Sequence, residues 1–145
     1  MNDDLYQEAI LGHARSELRA GRIADPDATA TADNPLCGDR VTLDVRLAGG
    51  RIADLAHHTR GCVLCKAAAA ILTERAVGAT GEESAAAAGE LRAMLEARGP
   101  APGGAWADLA AFAPVADHRS RQACVLLPFD ALAMALTEGR SKTPD

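Results

Sequence analysis

The chain has 145 residues, of which 48% are hydrophobic and 24% are charged. These proportions are typical of a globular protein, so we expect one domain over residues 1–145 rather than a disordered chain. Fifteen Lys and Arg residues against twenty Asp and Glu residues give a net charge of −5, which disfavours nucleic acid as a partner. The sequence has neither a basic, apolar leader nor an apolar run of the roughly 18 residues that a membrane helix needs. We therefore expect a cytoplasmic protein with no membrane partner.

The first third of the chain predicts a helix followed by a hairpin. An apolar residue recurs every four positions at Tyr6, Ile10, Ala14 and Leu18, which is typical of a helix face. Residues 21–35 lack a pattern and predict an irregular connection that can include an edge strand. Apolar and polar residues then alternate over 41–47, which predicts a strand. After a short turn at 48–50, residues 52–58 can return as its antiparallel partner.

The remainder of the chain predicts helices that cover this hairpin. One apolar stripe begins at Leu64 and ends near Gly78, and Thr80 with Glu83 has the form of a capping box that opens the next helix. Residues 99–104 break the pattern, a short helix is expected across 106–112, and a last helix carries apolar residues over 125–136. Pro128 is tolerated in that helix if it lies in the first turn, and we expect a flexible tail over 139–145. The predicted fold class is α+β.

Four cysteines could carry chemistry: Cys37, Cys62, Cys65 and Cys124. Thiols stay reduced in the cytosol, so these residues are metal ligands, nucleophiles or buried small side chains rather than a disulfide framework. Cys37 lies in a loop before the predicted strand. Cys62 and Cys124 lie at or near the starts of predicted helices, where unpaired N–H groups favour a thiolate.

Cys37, Cys62, Cys124 and Asp39 form a plausible tetrahedral zinc set, because zinc accepts thiolate sulfur and carboxylate oxygen. Gly38 allows the tight turn that would aim Cys37 and Asp39 at one place. Spacing alone leaves open whether each cysteine is a ligand or a buried side chain. For the Cys62–Cys65 pair, a shared metal, a reversible disulfide and a merely buried Cys65 also remain open. The adjacent residues His57 and His58 would face opposite sides of a strand, so they do not suggest a metal pair.

Three local strings resemble the iron–sulfur cluster assembly family that includes IscU, SufU and the NifU N-terminal domain. The strings are Asn34-Pro-Leu-Cys-Gly-Asp-Arg40, Arg60-Gly-Cys62 and Arg121-Gln-Ala-Cys124, and the resemblance covers roughly residues 5–136. Two features resemble the SufU branch. The 62 positions between Cys62 and Cys124 leave room for an extra helical segment at about 80–104, and Ala123 stands where IscU proteins carry a histidine.

The resemblance implies an α+β fold with about three antiparallel strands and a zinc ion held by Cys37, Asp39, Cys62 and Cys124. It further implies that Cys37 accepts persulfide sulfur from a cysteine desulfurase of SufS type. On this reading the chain is a possible zinc-dependent sulfurtransferase, and its partners include other iron–sulfur assembly or acceptor proteins. Arg121 resembles a docking or site-stabilising arginine.

Three departures from the family pattern accompany this reading. Residues 14–18 replace a usual Asn-Pro-Arg string that takes part in partner recognition. Arg60 stands where an acidic residue is common, and Cys65 stands where serine is usual. The alternatives to the sulfur relay are a scaffold that assembles and transfers a [2Fe–2S] cluster on the same thiolates and, from another class, a zinc-stabilised interaction module.

Overall fold

The computed structural model describes residues 7–142, with side chains described through residue 138. Its elements follow the order α1 (Glu8–Arg15), β1 (Ala28–Asn34), β2 (Asp39–Ala48), β3 (Arg51–Arg60), α2 (Val63–Ala76) and α3 (Gly81–Ala97). A series of 3₁₀ turns over Gly104–Asp117 and the helix α4 (Arg119–Lys142) complete the chain. The predicted α+β class with three antiparallel strands is confirmed. None of the helices within residues 7–142 is long and apolar enough to cross a membrane.

The three strands form a meander in the order β1–β2–β3, with β2 in the centre. Leu43 of β2 faces Ala30 of β1 on one side and His57 of β3 on the other. Strand β1 has a neighbouring strand on one side only. It is therefore an edge strand, as the sequence allowed for residues 21–35. A register shift at Arg46 and Leu47 interrupts the β2–β3 pairing near the turn.

One face of the sheet holds the core, and the other face is polar. Val41, Leu43 and Val45 are fully buried, as expected where α2 and α4 pack against the strands. The side chains that alternate with them include the exposed Arg40 and Arg46. The alternation of apolar and polar residues that predicted β2 therefore corresponds to one face that packs against helices and one polar face.

The capping box predicted at the start of α3 is confirmed. The Glu83 N–H donates to Thr80 Oγ1 at 3.1 Å, and the Thr80 N–H donates to Glu83 Oε1 at 2.8 Å. Helix α2 ends at Ala76, shortly before Gly78, as its apolar stripe indicated.

Two predicted helices differ from the structure in where they end or in their type. Helix α1 ends at Arg15, and Leu18 lies beyond it with 74% of its side chain exposed. Tyr6, the first residue of the predicted row, lies outside the described residues. The segment expected as a short helix across 106–112 is a longer series of 3₁₀ turns, which buries Trp106, Leu109 and Phe112.

The last helix begins earlier than predicted, which changes the position of two residues. Because α4 starts at Arg119, Pro128 lies inside the helix rather than in its first turn. Cys124 is the sixth residue of α4, so it lies beyond the four N–H groups that lack partners at a helix start. Helix α4 also continues past Gly139 to Lys142, within the predicted tail, and residues 143–145 lie outside the described part.

Candidate metal centre

A tight turn between β1 and β2 exposes Cys37. The Asn34 carbonyl accepts the N–H groups of Cys37 at 3.2 Å and Gly38 at 2.8 Å, and Asn34 Oδ1 accepts the Leu36 N–H at 3.2 Å. Gly38 has a φ of 76°, in the region that favours glycine. Asn34 itself is buried, so the turn is anchored to the sheet.

Asp39 begins β2 and is 98% buried against the start of α2, since only 2% of it is exposed. Its Oδ1 accepts the Cys62 N–H at 3.0 Å. A Cβ on residue 61 would lie 2.4 Å from that oxygen, a distance that real Cβ atoms do not show. Gly61 therefore makes room for the Asp39 carboxylate, a role that the sequence analysis missed.

Cys62 is the residue before the first turn of α2, as predicted, and its Sγ lies 3.8 Å from Asp39 Oδ2. A hydrogen bond from the Cys124 thiol lowers the pKa of Cys62 to about 6. The backbone N–H groups of Cys65 and Leu64 act in the same direction, whereas burial and the Asp39 charge oppose it. The lowered pKa favours the thiolate form of Cys62.

Cys124 reaches the same place from α4, although it is 87 positions from Cys37 along the chain. Its Sγ lies 3.6 Å from Cys37 Sγ, and its side chain is fully buried. Interaction with the Cys62 sulfur, followed by burial, raises the pKa of the Cys124 thiol. The Cys37 Sγ also lies 3.9 Å from the Ser120 carbonyl oxygen, at the first turn of α4.

The structure brings three of the four predicted ligand residues into one group and places the fourth beside it. Cys37, Asp39 and Cys124 each place a ligand atom within 4.8 Å of the other two. Cys62 lies outside this group, although its Sγ is 3.8 Å from Asp39 Oδ2. Two sulfurs bound to one zinc ion at tetrahedral angles lie about 3.8 Å apart, given Zn–S bonds of about 2.3 Å. The donor types fit zinc, and the 3.6 Å between the Cys37 and Cys124 sulfurs is close to that value.

Two auxiliary candidates lie near this cluster without belonging to its three-residue group. Cys65 is completely buried in α2, and burial raises its pKa, which is typical of an unreactive thiol. Arg121 is half-buried in the first turn of α4. No histidine among the described residues joins the group. His57 is buried with its Nδ1 2.8 Å from Thr59 Oγ1, whereas His58 is exposed, as expected for neighbours on a strand.

Comparisons with known proteins identify the family and support the fold. Residues 5–125 match the NifU-like N terminal domain family. The crystal structure of a nitrogen-fixing NifU-like protein (N-terminal) from Brucella abortus is 38% identical. It superposes with a TM-score of 0.93 over 97% of this chain and 98% of that one.

Two curated relatives match over shorter stretches. The iron-sulfur cluster assembly scaffold protein IscU 1 of Archaeoglobus fulgidus is 34% identical over 80 residues, which cover 55% of this chain and 52% of that protein. The zinc-dependent sulfurtransferase SufU of Bacillus subtilis is 30% identical over 76 residues, which cover 52% of this chain and 51% of that protein. The chain thus spans about half the length of these two relatives.

The fold and the family match define a protein of the NifU-like N-terminal domain class, with a cluster of three cysteines and one aspartate at one end of its sheet. The chain belongs to the IscU, SufU and NifU N-terminal family of iron–sulfur cluster assembly proteins. This confirms the resemblance carried by the three cysteine strings.

Proposed function

We propose that this chain is a zinc-bound sulfur acceptor of SufU type, in which Cys37 takes sulfur from the persulfide of a cysteine desulfurase. One observation carries the proposal. Cys37 is the exposed cysteine of a cluster whose Asp39 and Cys124 are buried. An acceptor must meet a sulfur donor on another protein, and Cys37 is the ligand candidate that can do so.

The proposed zinc ligands are Cys37, Asp39, Cys62 and Cys124. Zinc, when bound, keeps its ligand thiols deprotonated near neutral pH, whereas a free cysteine with a pKa of about 8.5 is mostly protonated. Asp39, Cys62 and Cys124 lie on three different elements, which hold the site together around Cys37. The similarity to a relative named a zinc-dependent sulfurtransferase supports the proposal.

The transfer is a thiol–persulfide exchange. The Cys37 thiolate attacks the outer sulfur of the desulfurase persulfide, a new S–S bond forms at Cys37, and the S–S bond on the desulfurase breaks. The electron pair of the broken bond leaves with the desulfurase cysteine as a thiolate. Cys37 then carries a persulfide that other iron–sulfur assembly or acceptor proteins can take up.

The test is to incubate the zinc-loaded protein with a desulfurase and free cysteine and to measure the mass of the Cys37 peptide. We expect a gain of one sulfur atom on that peptide, and no gain in Cys37→Ser. Cys65→Ser is the matched control, since Cys65 is buried and should not accept sulfur. A wild-type Cys37 peptide without added sulfur would contradict the proposal.

The second candidate function is a scaffold for a [2Fe–2S] cluster. The supporting observation is the donor set, since three thiolates and one carboxylate oxygen can also hold cluster iron. A relative named a scaffold protein is 34% identical. Anaerobic incubation with iron and sulfide should then give visible absorption that an apoprotein removes. Bound zinc that iron does not displace would favour the sulfur relay.

A further inference from the structure

Leu36 is an apolar side chain held in water beside the acceptor cysteine. It is 95% exposed, although its own N–H and those of the next two residues are hydrogen-bonded to Asn34. The turn is therefore ordered, yet Leu36 contributes almost no buried area within the chain. Burying such a side chain against an apolar surface is favourable. The described part of this chain provides no such surface for Leu36, so a partner protein would have to provide it.

The other side of the same turn presents two arginines. Arg40 and Arg60 are directly opposite on β2 and β3, where like charges repel each other. Arg40 Nε donates to Asp33 Oδ1 at 2.6 Å, whereas Arg60 has no ion pair among residues 7–138. They line an open hollow of about 420 Å³ together with two acidic residues, Asp33 and Asp39.

Two more arginines adjoin the α4 residue that contacts the acceptor. The Ser120 carbonyl lies 3.9 Å from Cys37 Sγ, and Arg119 and Arg121 are its neighbours in the sequence. In the hollow beside the turn, Arg60 supplies a positive charge that no ion pair among residues 7–138 offsets, although the whole chain has a net charge of −5. Such a charge attracts an acidic group on a partner and hastens association.

We propose that Leu36, Arg40 and Arg60 form a docking surface for the sulfur-donating enzyme, and we call these three residues the acceptor rim. The partner that fits has an apolar cleft for Leu36 and a carboxylate that enters the hollow beside Arg40 and Arg60. This inference rests on the proposed function. A donor sulfur that bonds Cys37 brings its protein surface against Leu36, the adjoining residue.

The test compares two sulfur donors on the zinc-loaded protein. One is the desulfurase with free cysteine, and the other is cysteine persulfide, which needs no docking surface. With the enzyme as donor, we expect Leu36→Ala and Arg60→Glu to raise the acceptor concentration that gives half the maximal rate by about tenfold or more. This is the effect expected when an interface loses one buried anchor or one charge contact. The rate with cysteine persulfide should stay within about twofold of wild type, because Cys37 itself is unchanged.

The matched controls are Met134→Ala and Arg46→Glu. Met134 is a 50% exposed apolar residue on α4 and lies outside the rim. Arg46 lies on the same strand and the same open face as Arg40, about 20 Å away at roughly 3.3 Å per residue, and its change alters net charge equally. Both controls should behave as wild type with both donors. Added salt should weaken wild-type transfer from the enzyme more than transfer to Arg60→Glu.

Three outcomes would overturn the inference. Unchanged concentration dependence in both rim variants would reject the docking surface and leave the sulfur relay standing. An equal loss with cysteine persulfide would show that these residues act on Cys37 rather than on a partner. A wild-type protein that gains no sulfur from either donor would reject the proposed function and the acceptor rim with it.

Discussion

At the scale of single residues, Gly61 is the position where one added carbon has the largest predicted effect on the candidate metal centre. Its Cβ would lie 2.4 Å from Asp39 Oδ1 and 2.8 Å from the carboxylate carbon. Asp39 has no space to move away easily, since only 2% of it is exposed and Oδ1 also accepts the Cys62 N–H. A side chain at position 61 must therefore displace the carboxylate.

We predict that Gly61→Ala weakens zinc binding by about tenfold or more, as for loss of a residue that orients a metal ligand. Competition with a chromophoric chelator measures the affinity. Gly89→Ala is the control, because a Cβ there meets nothing within 4 Å. In an Asp39→Ala background, Gly61→Ala should cause no further loss. A further tenfold loss in that background would show that Gly61 acts through something other than Asp39.

Asp44 is a fully buried carboxylate on the polar face of the sheet, where it fixes the chain before β1. It accepts hydrogen bonds from Arg22 Nε at 2.7 Å, Thr29 Oγ1 at 2.6 Å and the Ile23 N–H at 3.0 Å. Burial by itself raises the pKa of Asp44, but the hydrogen bonds from Arg22, Thr29 and Ile23 outweigh it, so the net pKa is lowered. The folded state thus favours the charged form.

Asp44→Asn should therefore lower the free energy of unfolding by about 2 kcal/mol at pH 7, through loss of charge-assisted hydrogen bonds. Because the folded pKa lies below the unfolded value of about 3.9, the ionised group stabilises above that pH, and the contribution is lost as pH falls through the folded pKa. Urea unfolding at pH 7 and near pH 3 measures this. If the free energies of unfolding of wild type and Asp44→Asn differ by the same amount at both pH values, Asp44 does not have a lowered pKa in the folded state.

At the scale of elements, the capping box shows how a local signal fixes a helix start. Thr80 and Glu83 satisfy each other's backbone N–H groups, so α3 begins at Gly81 without help from a distant residue. Thr80→Ala should lower the free energy of unfolding by about 1 kcal/mol, measured in urea. Thr80→Ser keeps the hydroxyl and should retain most of the stability. An equal loss in both variants would mean that the methyl group, rather than the cap, is responsible.

Helix α4 shows the opposite case, in which tertiary packing overrides a local signal. Proline in a helix interior removes one hydrogen bond and disfavours the helix by about 3 kcal/mol, so Pro128 is expected to be tolerated in the first turn. In the structure, α4 begins at Arg119, nine residues before Pro128. Its packing against β1, β2 and α2 buries residues 124–129 and offsets that cost. Cys124 consequently lies inside the helix.

At the scale of the whole molecule, the buried core of the described residues extends beyond the candidate metal centre. It includes Cys124 and also large side chains from the sheet, α2 and α3, among them Leu55, Ile71 and Leu91. We therefore expect the chain to fold without the metal and the metal to add to its stability. A zinc-stabilised interaction module would instead need the metal to fold.

We predict that removal of zinc by a chelator leaves the protein folded but easier to unfold. A free zinc concentration 100 times the dissociation constant stabilises by about 2.7 kcal/mol, which is the size of the expected loss. Circular dichroism and urea unfolding with and without chelator measure it. Zinc affinity should also fall as pH falls, because protons compete for the thiolates. Complete unfolding on chelation would favour the interaction module.

The sequence by itself determined the elements whose signals are local. Alternation identified β2, Thr80 and Glu83 identified the start of α3, and Gly38 identified the turn that carries Cys37. Each of these signals spans fewer than about ten residues, so backbone geometry and local hydrogen bonds suffice to produce them. The cysteine strings also identified the family, which the comparisons confirm.

Only the tertiary structure decided how the cluster is assembled. Cys37 and Cys124 are 87 positions apart, and they meet because α4 packs across the sheet. The same packing exposes Cys37, buries Cys124, leaves Cys65 in the core and makes Gly61 necessary beside Asp39. Periodicity along the chain carries no information about which distant surfaces meet. That choice depends on the packing of whole helices and strands against one another.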